Sequence, residues 1–327
     1  MAIDLQGKKV LVTGGTGMVG QPLVELLLEE GSDVTVVSLD DPSRVQQDNI
    51  TFVQADLRCF EKCLDITKNQ DVVFHVAGVK GSPLLTRSKP ASFFVPMLQF
   101  NTNVLEAARV NNVEWSLYTS TVGVYGPSEV FHEDDLWNQM PSKNDWFAGW
   151  AKRIGELQVE AYGIQYGESN ISVVRPVNIY GRYDNFNPQT SMVVPSLIYR
   201  ALKSKDVLEV WGDGSPLRDF INARDVARGM VFCVKNEVTN PVNLGNGMSI
   251  SIRALVETIV KYVPEDLEIK WDTSKPAGDK CRVADTSLIN GLGFFPEVTL
   301  EAGIKDTIEW YLQNSSDVDK RYEVFNG

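Results

Sequence analysis

Near the N-terminus, Lys9-Val10-Leu11-Val12-Thr13-Gly14-Gly15-Thr16-Gly17-Met18-Val19-Gly20 sets glycines at 14, 17 and 20 directly after a short apolar run. Val10 to Val12 reads as a strand, and Val19, Leu23, Leu26 and Leu27 follow at helical spacing. The pattern is therefore a strand, a tight turn and a helix. Gly14 permits a turn that a Cβ would obstruct, Gly17 lets a pyrophosphate approach the backbone, and Gly20 lets the helix lie close on the sheet. The amides at the helix start then face the phosphates. A glycine triplet by itself also makes ordinary turns. Placed between a strand and a helix, with a second strand behind, it predicts a dinucleotide site.

Composition narrows the partners. A chain of 327 residues, 43% hydrophobic and 23% charged, is long enough for a large core and a second lobe. Its net charge of -12 repels polyanions, so nucleic acid is disfavoured as a partner, and no basic run suggests a membrane surface. The first residues carry no signal-peptide core, and no apolar run approaches the roughly 18 residues of a spanning helix, which predicts a cytoplasmic protein. Four cysteines (Cys59, Cys63, Cys233, Cys281) and two histidines (His75, His132) are too scattered for a metal site or a disulfide framework, so no metal is expected.

Strands are expected at Asp33 to Val37, Ile50 to Gln54, Asp71 to Ala77, Ser116 to Ser120 and Ile171 to Arg175, with long helices at Ala91 to Val110 and Trp146 to Tyr166. Such alternation predicts an α/β fold, a Rossmann-type doubly wound parallel sheet. Beyond Pro176 the elements shorten and glycine and proline punctuate them, which suggests a smaller C-terminal substrate-binding lobe. The expected division is a dinucleotide-binding domain over 1–175, with a later contribution near 219–245, and a substrate lobe mainly over 176–327. At the end of the second strand, Asp40 would accept from the ribose 2′-OH of NAD and repel the 2′-phosphate of NADP, whereas Ser38 and Arg44 would suit that phosphate. Charge favours NAD, with NADP left open.

Further motifs follow: Asp56-Leu57, His75-Val76-Ala77-Gly78, Ser120-Thr121 through Val124-Tyr125-Gly126, Arg175-Pro176-Val177-Asn178-Ile179-Tyr180-Gly181 and Arg218-Asp219-Phe220. With the glycine loop, they make the chain resemble the extended short-chain dehydrogenase/reductase family of nucleotide-sugar epimerases, dehydratases and reductases over nearly its whole length. Gly78-Val79-Lys80-Gly81, Tyr183-Asp184-Asn185-Phe186-Asn187-Pro188, Val210-Trp211-Gly212-Asp213-Gly214 and Lys275-Pro276-Ala277-Gly278 resemble its GDP-fucose synthase branch. The resemblance implies a cofactor site of Gly14, Thr16, Gly17, Met18, Val19, Gly20, Ser38, Asp40, Asp56, Leu57, Ala77, Gly78 and Pro176, with Lys152 on the nicotinamide ribose. It implies that Thr121 holds the reacting sugar oxygen, and that Lys80, Asn178, Val194, Trp211, Arg218 and Arg282 address the nucleotide-diphosphate sugar. It also implies a homodimer through the 91–110 and 146–166 helices.

One departure dominates. The family needs a tyrosine four residues before the lysine, on the same helix face, where the ammonium lowers its pKa. In Asp145-Trp146-Phe147-Ala148-Gly149-Trp150-Ala151-Lys152 that slot is Ala148. The branch's cysteine slot falls on Gly123, its histidine slot on Met192 and its asparagine slot on Met97. The double epimerisation of GDP-fucose synthase therefore has no visible machinery. Losing the tyrosine alone should cost about 10²- to 10⁴-fold in rate, roughly 3 to 5 kcal/mol of barrier. Water above Ala148, Lys152 itself, or Tyr183 reaching in from its loop could take the proton. The expected activity is an NAD-dependent oxidoreductase of a nucleotide sugar, a GDP-hexose or GDP-heptose oxidised at C4 by a dehydrogenase or 4-epimerase. A non-catalytic NAD(P)- and sugar-nucleotide-binding relative is the alternative. A 4,6-dehydratase fits less well, because Glu129, Glu133, Asp134 and Asp135 fall too late after the Ser-Thr turn.

Overall fold

The computed structural model describes residues 2–45, 47–79, 81, 83–167, 170–275 and 280–315. In chain order the first strands are β1 (Lys9–Thr13), β2 (Asp33–Ser38), β3 (Ile50–Gln54), β4 (Val72–His75), β5 (Trp115–Thr119), β6 (Val130–Phe131), β7 (Ile171–Pro176) and β8 (Asn178–Tyr180). Then come β9 (Val207–Trp211), β10 (Leu217–Arg218), β11 (Phe220–Asn222), β12 (Val242–Leu244), β13 (Ile250–Ser251), β14 (Glu268–Asp272) and β15 (Cys281–Ala284). The helices are α1 (Gly20–Glu29), α2 (Phe60–Thr67), α3 (Pro83–Ser88), α4 (Pro90–Val110) and α5 (Trp146–Tyr166), followed by α6 (Val193–Lys203), α7 (Ala223–Lys235), α8 (Ile252–Tyr262), α9 (Ser287–Gly291) and α10 (Leu300–Asn314).

Seven strands form one parallel sheet in the order β12-β7-β5-β4-β1-β2-β3. Successive strand residues point to opposite faces, so Val10 and Val12 of β1 pack with Leu23 and Leu27 of α1 and Met230 of α7. Leu11, between them, packs on the other side with Cys63 of α2, Met97 and Val104 of α4 and Ala151 of α5. Helices thus cover both faces, as the unbroken apolar strands require. β1 lies between β2 and β4, so the strand order reverses there and a crevice opens at the strand ends.

The strand expected over Asp71 to Ala77 ends sooner, at His75. Ala77 donates its amide to the Thr13 hydroxyl at 3.2 Å instead of to a neighbouring strand, which turns the chain out over the crevice. A second apolar cluster joins Val194, Leu197 and Ile198 of α6 to Leu255 and Ile259 of α8 and Ile304 and Ile308 of α10. It stands at the carboxyl end of the sheet and supplies the far wall of the crevice. Among the described residues, no helix is long and apolar enough to cross a membrane.

Candidate active site

A cavity of about 1090 Å³ follows the crevice from the glycine loop to α6. Gly14 turns at φ +70°, and a Cβ there would stand 2.8 Å from Ala77 Cα, so the loop after β1 and the chain after β4 pass backbone to backbone. A Cβ on Gly20 would lie 2.2 Å from the Gly14 carbonyl oxygen, which explains why α1 can begin directly under the loop. Thr16, Gly17, Met18 and Val19 line the cavity between them.

Beside this loop the Thr16 hydroxyl donates to Asp40 Oδ2 at 2.6 Å and lies 2.8 Å from Ser38 Oγ. Asp40, which stands late in the sequence for a ribose contact, is folded back to the loop by these bonds, and its Oδ2 lies 3.5 Å from Arg44 Nε. Asp56 and Leu57 form the next stretch of wall, with the Asp56 carboxylate paired to Arg58 at 2.6 Å. That guanidinium holds the carboxyl below its ordinary range. Ala77, Gly78 and Pro176 continue the wall toward α5.

α5 carries buried charged groups. Glu156 is buried and accepts from Arg175 of β7 at 2.6 Å and from the Ser120 hydroxyl, a latch that anchors the helix to the sheet. One turn earlier, Lys152 is only 6% exposed, its Nζ 5.0 Å from the centroid of the Tyr118 ring. Burial pulls its ammonium down to about 7, partly offset by Glu156. Thr121 follows β5 and enters the same cavity, as do Ala148, Gly123, Met97 and Met192. His75 lies fully buried in β4: it bonds Thr13 Oγ1 at 2.8 Å and Asn101 Oδ1 at 3.0 Å, and burial drives its pKa down to about 3, so it stays neutral.

The profile described as "NAD dependent epimerase/dehydratase family" matches residues 10–245. The chain belongs to that family. It is 32% identical to "GDP-L-fucose synthase 1" of Arabidopsis thaliana over 94% of this chain and 94% of that one. It is 29% identical to "GDP-L-fucose synthase" of Escherichia coli over 94% of this chain and 97% of the relative. The UDP-glucose 4-epimerase of Thermotoga maritima, solved with UDP-glucose, superposes with a TM-score of 0.81 at 26% identity, covering 94% of this chain and 99% of that structure.

The family's dinucleotide fits the loop. At Gly17 a Cβ would meet only the Gly14 carbonyl, at 3.3 Å, so main chain alone faces the cavity there. The first turn of α1 has no acidic residue, and Val19 before it offers no capping side chain to its amides.

Most of the residues singled out in the sequence line one cavity, including Asn178, Val194 and Arg282 on its far wall. Asn178 also donates to the Asp219 carbonyl at 2.8 Å. Three residues stand elsewhere. Tyr183 turns at φ +61° and lays its ring on Trp310, 4.8 Å between centroids, so α10 draws it into the second core and Asp184 and Asn185 take the wall instead. Trp211 is 60% exposed because β9 alternates, with Leu208 and Val210 inward and Trp211 outward. Arg218 pairs in register with Arg282, one strand back from the cavity, and donates to the Leu217 carbonyl at 2.7 Å. Lys80 lies outside the described residues.

Asp145 is the wall residue that chain order concealed. It precedes α5 and pairs with Arg282 of β15 at 2.7 Å, joining the two walls. A Cβ on Gly123 would stand 3.4 Å from Asp145 Cβ. The only available signal was its place three residues before Ala148, on the same helix face as Lys152.

Proposed function

We propose that the protein is an oxidoreductase of a nucleotide-diphosphate sugar with NAD as cofactor, acting on the C4 hydroxyl of a GDP-hexose or GDP-heptose. The observation that carries this is the continuity of the cavity: Gly17 and Asp40 at one end and Asn178, Val194 and Arg282 at the other share one space with Lys152 and Thr121 between. Its volume of about 1090 Å³ exceeds the ~300–1,000 Å³ of a single small-molecule site, which suits two ligands meeting end to end. The GDP-fucose synthases among the relatives support guanine as the base.

When bound, the dinucleotide supplies a hydride acceptor. The chain's part is positioning. The Thr121 hydroxyl donates to the reacting sugar oxygen, and Arg282 faces the diphosphate as a charge-assisted donor, exchanging its hold on Asp145. Asp40 accepts from the adenosine ribose, where its charge would oppose a 2′-phosphate. Ala148 offers no proton-carrying atom, so acid-base chemistry rests on other groups. C4 dehydrogenation, with or without return of the hydrogen to the other face, uses the same placement.

Incubation of the protein and NAD with a panel of GDP- and UDP-sugars, followed by the absorbance of reduced nicotinamide and mass spectrometry of the sugar, tests this. A GDP-sugar converted to its keto form supports it. Dinucleotide binding by calorimetry with no hydride transfer over hours would instead make the chain a binding-only relative. A homodimer through α4 and α5, whose Val95, Ile154, Leu157 and Ile164 are exposed, belongs to the same proposal; sedimentation showing only monomer at micromolar concentration would remove it.

A further inference from the structure

We infer that the Lys152 amine is itself the proton acceptor for the reacting hydroxyl, reaching it across the space that Ala148 leaves open. The inference rests on the oxidoreductase function proposed above. Lys152 projects from α5 one turn beyond Ala148, and both line the cavity that Thr121 enters. A methyl group at position 148 puts nothing polar between the amine and that space.

Among the groups around the amine only Glu156 favours its charge, and burial outweighs that attraction. His75 of β4 is neutral, with both ring nitrogens occupied by Thr13 and Asn101. Tyr118 of β5 presents its ring face, and burial keeps its phenol protonated well above the ordinary range. Glu156, the carboxylate on the same helix, is engaged by Arg175 of β7 and by Ser120. Among the described residues, no carboxylate pairs with Lys152 within salt-bridge distance. A buried ammonium without a dedicated partner is destabilised relative to the free amine, and its fall to about 7 follows. Near neutral pH a large fraction of the protein then carries a basic nitrogen in the cavity that Thr121 enters, the condition under which a general base is most effective.

The step balances. The O–H proton of the carbinol passes to Lys152 Nζ, the C–H hydrogen leaves with its electron pair to the oxidised nicotinamide, the carbonyl forms, and the ammonium later loses its proton to water. In the reducing direction the ammonium returns that proton to the carbonyl oxygen.

Reductive methylation with ¹³C-formaldehyde, followed by NMR titration of the dimethylamine signals, reads the charge state without any turnover. Lys152 is assigned as the signal missing in Lys152→Arg. A midpoint near 7, well below those of the surface lysines, supports the inference, and a midpoint with the surface set overturns it. Kinetically, hydride transfer in the oxidising direction should rise with pH to a plateau above about 7, and Lys152→Met and Lys152→Arg should each lose about 10²- to 10⁴-fold in kcat, a larger loss than the roughly tenfold in dinucleotide affinity expected from one missing ribose contact. Transfer within threefold of wild type in a folded Lys152→Met protein overturns the base role. A midpoint near 7 with no transfer from any sugar nucleotide overturns the oxidoreductase function instead, so the two failures are distinguishable.

Discussion

The two ends of the cavity are built from different materials. At the end proposed for the dinucleotide the contacts are backbone: Gly14 against Ala77, Gly20 under the Gly14 carbonyl, and the amides at the start of α1. At the end proposed for the sugar they are side chains carried by elements far apart in the chain, Thr121 after β5, Lys152 on α5, Asn178 on β8 and Arg282 on β15. A backbone site depends on the absence of side chains and survives as a spaced glycine pattern. A side-chain site can lose or exchange a functional group without disturbing the fold.

Substitutions at the two ends should therefore fail differently. The largest effect is expected from Gly20→Val, whose Cβ would meet the Gly14 oxygen at 2.2 Å. Both dinucleotide binding and fold stability should fall, the latter by roughly 3 kcal/mol or more, read by calorimetry and thermal unfolding. At the other end, Ala148→Tyr would place a phenol one turn from Lys152 and fill the space the amine reaches across, so hydride transfer should change by less than about tenfold with an unchanged sugar range. A gain of about 10²- to 10⁴-fold would mean that no base operates at the sugar end and that Lys152 does not serve as one.

Lys152 also links the site to stability. Burial pulls its pKa down to about 7 in the folded protein, against 10.5 for a lysine exposed on unfolding. Between those values the unfolded chain binds one more proton, so stability rises as pH climbs from 7 toward 10.5, by up to roughly 5 kcal/mol. Denaturant unfolding at several pH values should show that rise in wild type and a flatter profile in Lys152→Met.

A smaller change is expected from Asp40→Asn, which removes a negative charge facing the ribose. The NAD-to-NADP preference should fall by about tenfold, roughly 1.4 kcal/mol, measured as the ratio of dissociation constants. The smallest belongs to Trp211→Ala, predicted to leave sugar-nucleotide KM within about twofold because the ring is exposed and outside the cavity wall, whereas Arg282→Met should raise KM by ~10-fold or more. Equal effects of these two would move the nucleotide toward β9.

How much of this was legible follows from the kind of contact. The parallel strands and the two long helices were readable because apolar periodicity reports local geometry, and the helix over Trp146 to Tyr166 lies where its pattern placed it. The strand ending at His75 was read two residues too long, since Val76 and Ala77 remain apolar while Ala77 bonds to Thr13. Tyr183, Trp211 and Arg218 were grouped with the site because their motifs sit in the right order, yet order does not say which way a side chain points. Asp145 went unnoticed for the complementary reason, because its partner Arg282 is 137 positions away.

From the sequence alone came the sheet, the glycine cradle, the family's dinucleotide class, and the absence of a phenol at position 148, all of which are local patterns or residue identities. The tertiary structure decided the environment: that Glu156 is taken by Arg175, that His75 is neutral, and that Lys152 is buried and, among the described residues, makes no ion pair. A lysine's proton affinity depends on burial and on neighbours from other strands, and chain order does not encode those distances.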